Sequence, residues 1–203
     1  MKPYQKWLAF FLSLLGLFWM SLTFWAQRER YLPCRDLKTE RASAKALVLF
    51  NPDPIYHFDR QITKAVAEGM QAAGWYVRIC TYASAETLEW EDYDYLGVVA
   101  NTYNWAPDRT CRRFVAGTPE LSGMPVLAMT LGSGATRRSR RLLEESLEEA
   151  GTDLRESLVY WLLRPNDETQ LERSNIRVAV EMARKAGQAF AVKSGKVSAK
   201  EGQ

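Results

Sequence analysis

From Trp7 to Trp25 the chain reads WLAFFLSLLGLFWMSLTFW, a run without a single charge. A helix needs about 20 apolar residues to cross the hydrocarbon of a bilayer, so this run is long enough to span. A helix buried in a soluble core is one rival, and it fails on uniformity, because such a helix shows a polar face. A cleaved signal peptide is the other. Its apolar core is shorter, and its cleavage site wants small residues where Phe24-Trp25-Ala26 offers bulky rings. The expectation is one uncleaved transmembrane helix over residues 1–26, with Trp7, Trp19, Phe24 and Trp25 suited to the membrane interfaces.

Orientation follows from the cations on either side. Lys2 and Lys6 precede the run, whereas Arg28, Arg30, Arg35, Lys38, Arg41 and Lys45 follow it, so the positive-inside rule puts the bulk of the chain in the cytoplasm as a single-pass protein. Glu29, Asp36 and Glu40 are interspersed among them, and acids count little in that rule. Residues 27–43 then read as a polar linker that need not be ordered. The formal charge of +3 is too small to suggest nucleic acid as a partner, which needs a concentrated basic face. Cys34, Cys80 and Cys111 are an odd number without CxxC spacing, so neither a disulfide framework nor a zinc site is indicated and they read as reduced thiols.

Beyond residue 44 the pattern alternates. Ala46–Phe50, Trp75–Thr81, Tyr95–Ala100, Pro125–Thr130 and Leu158–Leu163 are apolar runs of strand length. Between them, Ile62, Val66, Gly69 and Ala73 recur at helical spacing and stop at Gly74; Arg109–Ala116 suits a short helix. Leu143, Leu147 and Ala150 mark a helix ending at Gly151, and Ile176, Val180, Ala183, Gly187 and Phe190 mark a closing one. Strands alternating with helices imply parallel pairing, right-handed crossovers and an α/β three-layer sandwich over residues 44–192. The lysine-bearing segment 193–203 reads as a disordered tail.

In such a sheet, ligands collect beyond the carboxyl ends of the strands. Three loops leave those ends: Asn51–Asp59, Asn101–Asp108 and Leu131–Thr136. The second places Tyr103 and Trp105 in a polar turn, where rings can stack on a planar ligand or fold back over the domain. The third, TLGSGA, brings small residues and backbone amides near a ligand's edge.

The segments AVAEGMQAAGWYVRICTY, DYDYLGVVANTYNWAPDRTCRRFV and GMPVLAMTLGSGATRRSRRLLEESLEEAG resemble the flavodoxin family in order and spacing, from Ala44 to about Val192. The resemblance implies a five-stranded parallel sheet of order 2-1-3-4-5 and an FMN cofactor held between the loops after the third and fourth strands. Carried onto this chain, Thr102, Tyr103, Asn104 and Trp105 would border the flavin ring, as would Leu131, Gly132, Ser133 and Gly134. It further implies electron transfer through the bound flavin to a redox partner protein.

The first loop departs from that pattern. The family's phosphate loop carries hydroxyls and a glycine ahead of a helix N-terminus, which together cradle the anion. Here the matching region is YHFDRQ, with no glycine and no hydroxyl but that of Tyr56. Asp53 and Asp59 would repel a phosphate, and Asp59 reads as a side-chain cap on the following helix. His57, the sole histidine, leaves no multi-histidine metal site, and with Arg60 it reads as solvated surface or as electrostatic compensation. TRRSRR, Thr136–Arg141, opens a helix with charges that oppose its dipole; it reads as a face for anionic headgroups or an acidic partner, or as a solvated surface neutralised by Glu144, Glu145 and Glu148. Glu89, Glu91, Asp92 and Asp94 solubilise a turn. Two readings stay open: a membrane-tethered FMN-dependent redox protein, favoured by the ring loops, and a flavin-less binding or scaffold module at the membrane, favoured by the first loop.

Overall fold

In a computed structural model, which describes residues 2–86 and 88–201, the apolar run forms helix α1, Pro3–Ala26. It is long and apolar enough to cross a membrane, and only Ala26 on it is buried. The alternating region then gives β2 (Lys45–Phe50), α2 (Phe58–Ala72), β3 (Tyr76–Thr81), α3 (Tyr82–Ala85), β4 (Tyr95–Tyr103), β5 (Ala106–Pro107), α4 (Arg109–Gly117), β6 (Pro125–Gly132), α5 (Arg137–Glu149), β7 (Asp153–Trp161) and α6 (Asn175–Glu201), after a short strand β1 (Arg35–Leu37). The strands lie in the order β1-β3-β2-β4-β6-β7, with β5 paired to β4. From β3 to β7 all neighbours are parallel. This is the expected five-stranded 2-1-3-4-5 sheet, extended by β1 at one edge and by a small hairpin.

The central strands β2, β4 and β6 are buried on both faces, as near-continuous apolar runs require when helices cover both sides of a sheet. One core includes Val48, Phe50, Ile62, Val66, Met129 and Phe190; the other includes Leu47, Leu49, Tyr82, Val98, Cys111 and Leu143. Helices α2 and α6 pack so closely that a Cβ on Gly69 would stand 2.0 Å from the Arg184 carbonyl oxygen, and one on Gly187 2.2 Å from that of Val66. Glycine is the residue that lets these two backbones touch.

Four expectations are corrected. Strand β7 runs over 153–161 rather than 158–163: Arg155 and Glu156 hide its first half, because an edge strand half-exposed to water tolerates charge. The segment 193–201 is helix α6 rather than a disordered tail, while Gly202 and Gln203 lie outside the described residues. Residues 27–43 are not a free linker. Strand β1 pairs antiparallel with β3, the Arg78 guanidinium donates to both carboxylate oxygens of Asp36, at 2.6 and 3.1 Å, and Cys34 is disulfide-bonded to Cys80. The thiols were expected to be reduced; a strand pairing between residues 46 apart in sequence brings the two sulfurs together, and no motif spacing reveals it. Cys111 is the free cysteine and is buried.

Under denaturing, non-reducing conditions one thiol per chain should react with a maleimide, and three after reduction. Cys34→Ser should lower stability by about 2–4 kcal/mol, the usual contribution of a cross-link that restricts the unfolded chain. Three reactive thiols without reductant would contradict the Cys34–Cys80 disulfide.

Candidate functional site

The loops after β2, β4 and β6 enclose a cavity of about 300 Å³, at the small end of ordinary ligand pockets. Of the expected ring-contact residues, Thr102, Tyr103, Asn104, Leu131, Gly132 and Ser133 line it. Trp105 and Gly134 do not. Strand β4 continues through Tyr103 and turns back as a hairpin, with Thr102 opposite Pro107 and Tyr103 opposite Ala106. The turn residues Asn104 and Trp105 both have left-handed φ, 50° and 60°, and Trp105 is 61% exposed at the tip. Primed two-residue turns demand such angles, and asparagine meets them cheaply while tryptophan does not.

Close packing shapes the cavity wall. A Cβ on Gly132 would lie 2.6 Å from Thr136 Cγ2 and 3.1 Å from Thr102 Cβ, so only glycine lets β6 approach β4 here. The Ser133 carbonyl accepts from the amides of Leu163 and Arg164, both at 3.1 Å, which fixes the third loop against the end of β7. The Thr102 hydroxyl is buried without a hydrogen-bond partner. A buried polar atom left unsatisfied beside a cavity is a natural attachment point for a ligand.

One wall was not legible from the ring loops at all. Trp19, Thr23 and Ala26 of α1 line the cavity, and the Trp19 indole Nε1 donates to Asn104 Oδ1 at 3.3 Å. In the sequence these residues read only as part of the membrane-spanning run, with Trp19 suited to its interface.

The first loop is the opposite of a phosphate cradle. Asp53 Oδ1 accepts from the amides of Ile55 and Tyr56, at 2.6 and 2.9 Å, and its Oδ2 accepts from the Tyr103 hydroxyl at 2.9 Å. Asp59 accepts from the amides of Asp53 and Arg60, at 2.6 and 2.8 Å, and from the Asn101 side chain at 3.4 Å. Four backbone amides that could meet an anion are therefore taken by carboxylates of the same loop. Asp59 does take one free amide of the first helical turn, that of Arg60, but from inside the helix: the cap position itself is His57, with left-handed φ of 53° and no side-chain cap bond. His57 and Arg60 are exposed, with the His57 Nδ1 3.0 Å from the Asp53 carbonyl oxygen.

Beneath the cavity, Asn101 joins two buried acids. Its side chain donates to the Asn51 carbonyl and to Asp59, and its amide donates to Asp108, which also caps α4 through the Cys111 amide. Burial pushes Asp59 up to about 6 and Asp108 up to about 7, despite these hydrogen bonds. Burial and the neighbouring Asp53 also hold the Tyr103 phenol well above its usual range. Among the described residues no group of His, Cys, Asp and Glu could hold a metal ion. Of the TRRSRR arginines, Arg140 and Arg141 pair with Glu144 and Glu145, whereas Arg137 and Arg138 are exposed without an ion pair among the described residues.

No family model matches this chain, and no curated protein matches it in sequence. Solved structures do. A flavone reductase has 12% identity and a TM-score of 0.56 over 75% of this chain and 63% of its own. A flavodiiron core from Synechocystis has 16% identity and a TM-score of 0.55 over 78% of this chain and 37% of its own. A flavodoxin, WrbA-like protein from Agrobacterium tumefaciens has 14% identity and a TM-score of 0.51 over 75% of this chain and 98% of its own. The domain that follows α1 is thus flavodoxin-like in fold.

Both buried acids bind protons more readily folded than unfolded, where a carboxyl titrates near 4. Folding should therefore be most favourable at mildly acid pH and weaken as pH rises through about 6 and 7. Melting temperatures should fall between pH 5 and about 7 and level off above it; a flat or rising curve between pH 5 and 7 would contradict these assignments.

Proposed function

We propose that this chain is a membrane-tethered, flavodoxin-like redox module whose crevice holds the ring of a flavin. The observation that carries the reading is the cavity between the loops after β4 and β6, walled by Leu131, Tyr103 and Thr102, whose buried hydroxyl has no hydrogen-bond partner. Ring binding there would use apolar contact on the faces and that one hydroxyl at an edge. A bound flavin supplies one- or two-electron chemistry. The chain's own residues contribute the socket, the water exclusion and the α1 wall, and no catalytic residue is assigned.

FMN as the cofactor fits only in half. Its ring suits the cavity, but its phosphate would meet Asp53 and Asp59 where the family offers free amides and hydroxyls. Recognition through the ring alone is the consistent form of the proposal, and it makes riboflavin as good a ligand as FMN. The flavin-less scaffold is the second reading, and the occupied first loop is what favours it.

In this reading α1 is the membrane anchor. Two signals for its orientation disagree: the cation count favours a cytoplasmic domain, whereas the Cys34–Cys80 disulfide favours an oxidising compartment. We place the domain on the oxidising face, because the Cys34–Cys80 disulfide joins two specific residues across paired strands and such bonds persist in oxidising compartments. A C-terminal reporter that works only outside the cytoplasm should be active; activity of a cytoplasmic reporter alone would reverse the assignment.

Titration of riboflavin with the purified full chain should quench flavin fluorescence, and Thr102→Val should weaken binding by about 0.5–1.5 kcal/mol, the value of one hydrogen bond. Absence of riboflavin and FMN binding alike would leave the scaffold reading.

A further inference from the structure

The anchor joins the domain without slack, and always at the same edge of the sheet. Directly after α1, the Gln27 side-chain oxygen accepts from the Arg109 amide at 3.0 Å, Arg30 donates to the Pro52 carbonyl at 3.3 Å, and the Leu32 amide donates to the Thr81 hydroxyl at 3.4 Å. Pro52 and Thr81 lie at the carboxyl ends of β2 and β3, and Arg109 follows the β4–β5 hairpin. Cys34 then locks the strap to β3 through Cys80. From Ala26 to Arg30 is four residues, at most about 14 Å of fully extended chain. With α1 in a bilayer, this edge cannot stand far from the lipid.

The same edge carries apolar side chains that the fold does not use. Outside α1, the large hydrophobic residues exposed on the described surface are Tyr31, Ile55, Tyr56, Trp105, Leu163, Leu171, Met182 and Val192. Tyr31 is in the strap, and Ile55, Tyr56, Trp105, Leu163 and Leu171 are in the segments that follow β2, β4 and β7. Only Met182 and Val192, on α6, lie elsewhere. Ile55 and Leu163 are 51% and 74% exposed. Such a concentration on one side marks a contact surface.

The hairpin gives the depth. Trp19 is bonded to Asn104 and stands seven residues before Ala26, which is about 10 Å along a helix. That is the depth to which interfacial side chains reach, about 5–10 Å. The left-handed turn at Asn104 and Trp105 therefore presents an amphipathic ring at the level where tryptophan is preferred. Arg30 and Arg109 stack over the Trp25 and Phe24 rings, which places cations at the end of α1, where headgroups begin.

We propose that the carboxyl edge of the sheet rests on the lipid surface, with Ile55, Tyr56, Trp105 and Leu163 in the interface, so that the crevice opens toward the bilayer. The occupant of this face is lipid, and anything that enters the crevice approaches through or along the membrane. The inference rests on α1 as an anchor and is independent of what the crevice binds.

The test uses full-length protein in phosphatidylcholine vesicles, with single cysteines introduced by Ile55→Cys, Trp105→Cys and Leu163→Cys, and by Glu91→Cys and Glu149→Cys at the opposite edge. Each is labelled without reductant by a bimane dye, with unsubstituted protein as the background. Brominated acyl chains should quench the dye at 55, 105 and 163 at least several-fold more than at 91 and 149, and aqueous iodide should show the reverse order. Iodide reaching all five sites equally would overturn the proposal, as would sites 55, 105 and 163 shielded from both quenchers, which would mean a protein cover. Vesicle flotation separates the two failures: protein that floats but shows no bromolipid quenching keeps its anchor and loses this docking, whereas protein that does not float loses both.

Discussion

Asp53 fills the amides of Ile55 and Tyr56 with its own carboxylate and turns its second oxygen to the Tyr103 hydroxyl. The rest of the site is arranged around that contact. It closes the first loop without glycine, because an internal anion organises the amides that a tight glycine turn would otherwise aim at a ligand. It fixes Tyr103 on the cavity wall rather than leaving the ring free to stack. Through the Asp53 amide it also draws in Asp59, whose burial would be costly without the three donors that meet it.

The consequence is a crevice whose two halves have diverged. The half made by the loops after β4 and β6 keeps a cavity, an unsatisfied hydroxyl and close-packed small residues. The half made by the loop after β2 satisfies itself. A ligand that fits both observations is a planar ring recognised by shape and one polar contact, with no anionic arm. The second partner of the crevice is α1, whose Trp19 closes one side. Helix α1 and the crevice are therefore a single structural unit, and the disulfide keeps them so by joining residues 34 and 80.

Much of this was legible in the sequence, and the exceptions have physical reasons. The buried strands and amphipathic helices declared themselves because their burial imposes period and length, and the order of strands followed from the alternation and the family resemblance. Strand β1 is three residues of RDL and carries no pattern; it exists because Arg78 and Cys80 hold it. Acidic repulsion of phosphate by the first loop could be read from Asp53 and Asp59. That Asp53 itself occupies the amides could not, since it depends on the loop's conformation. Trp105 promised stacking by residue type alone, whereas the hairpin register turns it away from the cavity and leaves Tyr103 on the wall.

The central claim is that recognition lies in the ring loops and that the first loop has no free anion site. The most direct measurement is the ratio of the dissociation constants of FMN and riboflavin for the full chain, at one pH and ionic strength, compared with the same ratio for Asp53→Ser. The account predicts a ratio near or above one for the natural sequence, with a shift toward FMN when the Asp53 carboxylate is removed from the amides. FMN binding more tightly than riboflavin by a hundredfold or more, and unchanged by Asp53→Ser, would contradict it.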